Sequence, residues 1–391
     1  MSIKSQFVAD SDMHVMEPPD LWERYIDPEF RHAAPKGLTD MKRDMRVQVK
    51  TRVLLKTGRV RPKAATPAGD GWREDHDDAY AHSERCGWDS QSQLDAMNAE
   101  GLDMAVMFPS RGLFVLGLDT VEMSGVDGLE PDYAAAIARA YNDWMHDFCS
   151  LEPKRMFGAA MVAPHSVELA VAEARRCVEE YDFKTVFLSP GAVGRKPWHH
   201  PDYDPLWAEC ERLGVPIAFH GGGQNELRPD FSLEIFDELS LWHTFSQPLG
   251  IMTVTASFCG GGVLERFPKL RVALLEGNCA WAPWLLHRLD EHHEWVGRFE
   301  FPELMRKPSE YFRSNCWLSI EVDEEPGRQY IEWFGDANLV FSTDYPHGDS
   351  KYPHSIDAFE KLPIPDASKP KIVGENWGRL YNIPLAKHAP R

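Results

Sequence analysis

The 391-residue sequence predicts a parallel α/β barrel of eight strand–helix units, a (β/α)8 barrel, folded as one domain over residues 1–391. Three observations lead there. Brief apolar runs alternate eight times with longer helical patterns. Most of the runs are too continuously apolar to be half-exposed, as strands covered on both faces are. Acidic and imidazole side chains gather where the runs end, which is where barrels of this kind carry their chemistry. At about 150 residues per domain the length alone suggests two or three domains, but single barrels with insertions reach it. A doubly wound open sheet is the competing architecture, and the eightfold alternation favours the barrel.

The strands are read as Gln6 to Asp12, Asp103 to Phe108, Met156 to Val162, Lys184 to Leu188, Val215 to His220, Arg271 to Glu276, Trp317 to Val322 and Asn338 to Asp344. Helical patterns lie between them. Ser92 to Glu100 stops at Gly101, and Asp204 to Leu213 stops at Gly214, the residue type that most easily ends a helix. Pro131 to Ser150 opens on a proline, and Ser166 to Tyr181 on a serine that suits an N-cap. Leu241 to Phe267 is broken by Gly260-Gly261-Gly262, and Ala280 to Val296, Glu324 to Phe334 and Lys371 to Tyr381 complete the set. Two stretches stand outside the repeat. Residues 18–89 form a long insertion after the first strand, too long for a structureless loop, and are read as a cap or subunit-contact element. Its basic centre (Lys42, Arg43, Arg46, Lys50, Arg52, Lys56, Arg59, Arg61, Lys63) is read as a solvated face, with a partner patch as the alternative. Gly221 to Ser240 is a glycine-rich loop that would roof a pocket.

Lys plus Arg is 42 and Asp plus Glu is 61, a net charge of −19. That balance argues against nucleic acid and against an anionic membrane surface as partners. It leaves an anionic small-molecule substrate open, because a bound cation reverses the local field. The seven cysteines form no CxxC pair and several sit in apolar runs, a reduced, cytoplasmic pattern. No signal peptide or membrane-length apolar run is expected.

Strand one ends Asp12-Met13-His14, and residues two apart on a strand face the same side, so both can point at the barrel axis. Strand five ends in His220, strand six in Glu276 and strand eight in Asp344. Neutral imidazoles with ionised carboxylates are what a divalent ion needs. Each residue also has an ordinary reading, as a turn former, a cap or a hydrogen-bonded core group. Their convergence on several strand ends of one barrel favours a metal site. Trp198, Trp242, Trp281, Trp284 and Tyr345 are candidates for an apolar pocket, although core packing explains most tryptophans equally well.

Asp12-x-His14, the Pro216-Ile217-Ala218-Phe219-His220-Gly221-Gly222 run, Phe267-Pro268-Lys269-Leu270-Arg271-Val272 and Ser342-Thr343-Asp344-Tyr345-Pro346-His347 resemble the amidohydrolase superfamily. The nearest likeness is to its amidohydrolase-related branch, which contains aminocarboxymuconate-semialdehyde decarboxylase and resorcylate-type decarboxylases. The resemblance implies a metal held by Asp12, His14, His220 and Asp344, with Asp344 also the proton shuttle. Two departures stand out: the decarboxylases usually carry His-x-His or Glu-x-His on strand one, and many place a catalytic His where Glu276 stands. With Glu17, Glu276 and His347 as further ligands the set would hold two metals, zinc or iron and manganese, as in a small dinuclear group of this superfamily. Glu17 also suits a first-turn acid before Pro18, and His243 and His347 suit polar lining or ligand-orienting roles. Asp344, Glu276 and His243 are the catalytic candidates.

Three functions follow as expectations. The first is a metal-dependent hydrolase or non-oxidative C–C lyase of decarboxylase type, acting on a small, aromatic-sized organic substrate. The second is a dinuclear Fe or Fe/Mn oxygenase on the same barrel. The third is a non-catalytic metal-binding subunit. A homodimer, or a hetero-oligomer with a related barrel, is the expected assembly.

Overall fold

The computed structural model describes residue 3 and residues 6–40, 42–55, 76–221, 236 and 238–385. Eight parallel strands run in chain order around one sheet. They are β1 (Ala9–His14), β2 (Met104–Phe108), β3 (Met156–Met161), β4 (Thr185–Leu188), β5 (Ile217–His220), β6 (Val272–Leu275), β7 (Cys316–Ile320) and β8 (Leu339–Phe341). The sheet closes just past β8: the Asp344 amide donates to the Asp12 carbonyl (3.2 Å) and the His14 amide to the Tyr345 carbonyl (2.6 Å). The molecule is therefore a (β/α)8 barrel, and every residue of these eight strands is buried.

The outer layer is built from α1 (Ser90–Glu100), α2 (Pro131–Cys149), α3 (Val167–Tyr181), α4 (Asp204–Leu213), α5 (Leu239–Thr255), α6 (Ala282–His292), α7 (Gly327–Phe334) and α8 (Asn376–Tyr381). Local chemistry sets their ends. The Asp89 carboxylate accepts from the Ser92 amide (2.8 Å), which starts α1 two residues before the sequence reading places it. Ser166 accepts from the Leu169 amide as the cap of α3. Gly101 (φ 81°) and Gly214 (φ 69°) close α1 and α4 in the left-handed region. The predicted Leu241–Phe267 helix is α5, a wide turn over Ala256–Gly260 and a short helix Val263–Arg266. Aromatic rings lock helices to strands: Phe258 packs against Trp207 (5.0 Å) and Phe219 (5.3 Å), and Trp377 Nε1 donates to the Asp10 carbonyl under β1 (3.0 Å).

Within residues 18–89 the chain forms helices Leu21–Tyr25 and Pro28–Ala33, a three-stranded antiparallel sheet (Lys36–Gly37, Val47–Val49, Arg52–Leu54) and helix His76–Arg85. The described basic residues pair within the molecule: Arg46 with Asp44 (2.6 Å), Lys42 with Asp77 (2.7 Å) and Lys50 with Glu130 (2.8 Å). Lys56, Arg59, Arg61 and Lys63, and residues 222–235 and 237 of the expected pocket roof, lie outside the described residues. The cysteines are free, and all but Cys86 are buried. No helix of the described residues is long and apolar enough to cross a membrane.

Candidate metal centre

The site lies at the C-terminal end of the barrel, where β1, β5 and β8 meet. β1 carries one extra residue between Asp10 and Met13 relative to its partner β2. Such a bulge re-aims side chains, and here Asp12 and His14 both turn inward and are fully buried. The buried Asp10 carboxylate fastens the seam, accepting from the Asp12 amide (2.9 Å) and from the Thr343 hydroxyl and amide next to β8. Burial pushes its carboxyl up to about 7. Asp344 follows at φ 53° and Glu276, after β6, at φ 47°. Both are non-glycine residues in the sparsely populated left-handed region, where strain clusters at functional sites.

Four side chains converge. His220 Nε2 lies 2.9 Å from His14 Nε2 and 3.1 Å from Asp12 Oδ1. His14 Nε2 lies 3.5 Å from Asp12 Oδ1 and 3.3 Å from Asp344 Oδ1. Donors about 2.1 Å from one ion stand about 3.0–3.5 Å from each other, so the spacings among Asp12, His14 and His220 fit a divalent cation, with Asp344 reaching the group from the His14 side. The ring orientations agree. His14 Nδ1 donates to the Pro109 carbonyl (2.6 Å), and His220 Nδ1 to the Gly221 carbonyl (2.9 Å). Each bond commits the proton to Nδ1 and turns the Nε2 lone pair on the common point, the usual way a protein orients metal-ligating histidines. Gly221 is required for this approach, because a Cβ there would lie 2.8 Å from the Glu276 carbonyl.

The electrostatics also call for a cation. The carboxylate oxygens of Asp12 and Asp344 are buried and are surrounded by other titratable groups, His220 beside Asp12, and His347 and Asp349 beside Asp344, rather than by neutral donors. Burial, reinforced by Asp349 and Glu276, holds the Asp344 carboxyl well above the usual range. Burial, with the charges of His347 and His220, pushes His14 far down, so it is a neutral ligand. Burial alone would lower His220 as well, but Asp12 and Glu276 outweigh it and raise the ring to about 9. Without an ion, a proton on His220 serves as the cation of the cluster.

The other predicted residues divide. His347 joins the group through Nδ1, 2.9 Å from Asp344 Oδ1, and its ring stacks on His14 at 4.0 Å. Glu276 does not face the ion: its Oε2 lies 3.3 Å from Nδ1 of His220, on the far side of the ring. Burial raises its carboxyl to about 8. Glu17, expected as a ligand, is used elsewhere. Its oxygens accept from the backbone amides of Ser110, Arg111 (2.8 Å) and Gly112 (2.9 Å), which leaves none for an ion. His243 stays out of the cluster, with Nε2 2.8 Å from the Gln247 amide nitrogen. The two groups of ligating atoms among the described residues, Asp12/His14/His220 and His14/Asp344/His347, share His14.

The sequence reading missed Ser110, whose hydroxyl lies 2.9 Å from Nε2 of His347. Glu321 after β7 was also passed over; burial and the charge of Asp349 push its carboxyl well up. So was the role of Arg43, which donates to the Pro346 carbonyl (3.1 Å) and whose charge acts on His347. Phe108 and Phe187 wall the cluster below, with Phe108 5.8 Å from the His220 ring. Beside them a small apolar pocket of about 20 Å³ lies between β3 and β4, lined by Gly112, Leu116, Met161, Phe187, Leu188 and Gly191, with room for a water rather than a ring. The expected tryptophan pocket does not assemble: Trp198 packs in the core on Phe219 (5.4 Å), and Trp284 is 60% exposed.

A family model described as amidohydrolase matches residues 10–383. The chain belongs to this family. Gamma-resorcylate decarboxylase of Rhodococcus jostii is 27% identical to this chain over 265 residues, 65% of this chain and 79% of the relative. Among solved structures, an amidohydrolase from Mycobacterium avium subspecies paratuberculosis superposes with TM-score 0.75 at 20% identity, covering 97% of this chain and 99% of the other. A dihydroxybenzoic acid decarboxylase from a Polaromonas species, solved with manganese and the inhibitor 2-nitroresorcinol, gives TM-score 0.64 at 17% identity, covering 96% and 97%. At these identities the structures show the shared barrel.

Proposed function

We propose that this amidohydrolase is a metal-dependent carboxy-lyase that removes a carboxyl group from a small aromatic acid. The carrying observation is the convergence of two Nδ1-anchored imidazoles and the buried Asp12 carboxylate on one point, with Asp344 beside His14 and Glu276 beside His220. A divalent ion held by Asp12, His14, His220 and Asp344, manganese being the first choice given the manganese-bound Polaromonas relative, would bind the substrate's oxygens and offset their charge. Glu276 is protonated at neutral pH and acts as general acid. As the ring carbon–carboxyl bond breaks, its electron pair remains on the ring carbon, which takes the Glu276 proton, and the carboxylate leaves as carbon dioxide. Water then restores the proton to Glu276. Arg43 supplies positive charge near His347 on the side facing the insertion. The described part of residues 18–89 caps this end of the barrel, where Arg43 donates to the Pro346 carbonyl and Arg111 to the carbonyls of Leu38 and Arg46.

A second reading rests on the acidic surroundings. Asp349, whose carboxyl is held low, would repel an anionic substrate, which favours hydrolysis of a neutral one, with Asp344 taking the water's proton. Manganese-loaded protein given a panel of ortho-hydroxybenzoates should release carbon dioxide and, in heavy water, place one deuterium at the vacated carbon. Turnover of neutral esters or amides with no carbon dioxide from that panel would replace the lyase with the hydrolase. The oxygenase expectation placed Glu17, Glu276 and His347 on a second ion; His347 lies with His14 and Asp344, but the Glu17 oxygens are taken by backbone amides and Glu276 stands beside His220 Nδ1.

A further inference from the structure

Ser110, His347 and Asp344 form a continuous chain. The Ser110 hydroxyl lies 2.9 Å from Nε2 of His347, and Nδ1 of the same ring lies 2.9 Å from Asp344 Oδ1. The spacing is that of a hydrolase triad, but the serine is fully buried, so it has no access to a substrate carbonyl. Its function lies in what it fixes. Glu17 holds the amides of residues 110–112 and so sets where that hydroxyl stands. Arg111 extends the hold to the insertion, with Nη1 donating to the carbonyls of Leu38 (2.9 Å) and Arg46 (3.0 Å).

Two arrangements of the His347 ring satisfy these distances. In one, Nε2 carries the proton and donates to Ser110, and the Nδ1 lone pair is free for an ion. In the other, Ser110 donates to Nε2, and Nδ1–H donates to Asp344. Once Asp344 is ionised to ligate a cation, a lone pair facing its oxygen at 2.9 Å is repulsive, whereas an N–H there makes a charge-assisted hydrogen bond. We infer that Ser110 and Glu17 are positioning residues of the metal centre: they hold His347 in the Nδ1–H form, which steers the Asp344 carboxylate onto the ion and makes His347 its support rather than a ligand. Asp344 needs such support, being held in a left-handed backbone conformation without a backbone donor to its oxygens. Outer partners of this kind are typically worth about 10–100-fold in metal affinity.

The inference rests on reading the cluster as a metal centre, and the test separates the two. Manganese affinity of the full chain is measured by chelator competition for wild type, Ser110→Ala, Ser110→Thr and Glu17→Gln. Ser110→Ala and Glu17→Gln should bind about 10–100-fold more weakly, and Ser110→Thr, which keeps the hydroxyl, within about threefold of wild type. Unchanged affinity in Ser110→Ala, or equal losses in the alanine and threonine variants, overturns the inference while leaving the metal centre standing. Wild type that binds no divalent ion overturns both. Independently, nitrogen-15 NMR of histidine-labelled, metal-free protein should show His347 as the Nδ1–H tautomer, and an Nε2–H signal contradicts the assignment.

Discussion

Metal loading should depend steeply on pH, because the ion and a proton compete for His220. In the ion-free protein that ring sits at about 9, against an ordinary 6.5. A group at about 9 is neutral in roughly one molecule in a hundred at pH 7 and in about half at pH 9. Apparent affinity should therefore tighten by about 50-fold between those pH values, with about one proton released per ion bound at pH 7. Calorimetric titration in buffers of different ionisation enthalpy reads both quantities. Glu276→Gln removes one of the two carboxylates that hold the ring up, so the curve should move to lower pH in that variant. Linkage gives a companion effect of known sign. A raised histidine contributes stability that is complete below about 6.5 and lost as pH rises through about 9, so the ion-free protein should lose on the order of 3 kcal/mol across that window. Affinity that is flat from pH 7 to 9, with no proton released, would refute the reasoning.

Three further outcomes follow. Asp344→Asn should lower turnover by about 10²–10⁴-fold with its melting temperature near that of wild type; near-normal activity removes Asp344 from the mechanism. Gly221→Ala places a Cβ 2.8 Å from the Glu276 carbonyl and should weaken metal binding by displacing His220; metal content equal to wild type at limiting ion would show that the close approach is not needed. Trp207→Ala, in the fully buried contact with Phe258, should cost about 3–5 kcal/mol of unfolding free energy and leave metal affinity intact; chemical denaturation measures it.

The barrel was legible because its signal is repeated: eight buried runs, each followed by a helix with its own cap or glycine stop. Asp12, His14, His220 and Asp344 could be named in advance because strand ends point at the axis and closure of β8 on β1 brings them together. What local sequence could not convey was competition for the same side chain. Glu17 reads as one more carboxylate near the site, yet three backbone amides of a segment more than ninety residues away claim it. Glu276 lies at the right strand end but faces the wrong side of His220, a matter of one positive φ. Ser110 carried a signal that went unread, since it lies two residues past the end of β2 in Pro109-Ser110-Arg111-Gly112. The helix boundaries after α5 were obscured by a wide turn, which has no residue signature of its own.

The central claim is that Asp12, His14, His220 and Asp344 hold one divalent ion. Elemental analysis of manganese-loaded, dialysed wild type beside His220→Ala tests it most directly. The account predicts about one equivalent per chain in wild type and almost none in the variant. A metal-free wild type, two equivalents per chain, or a variant that retains its full equivalent would contradict it.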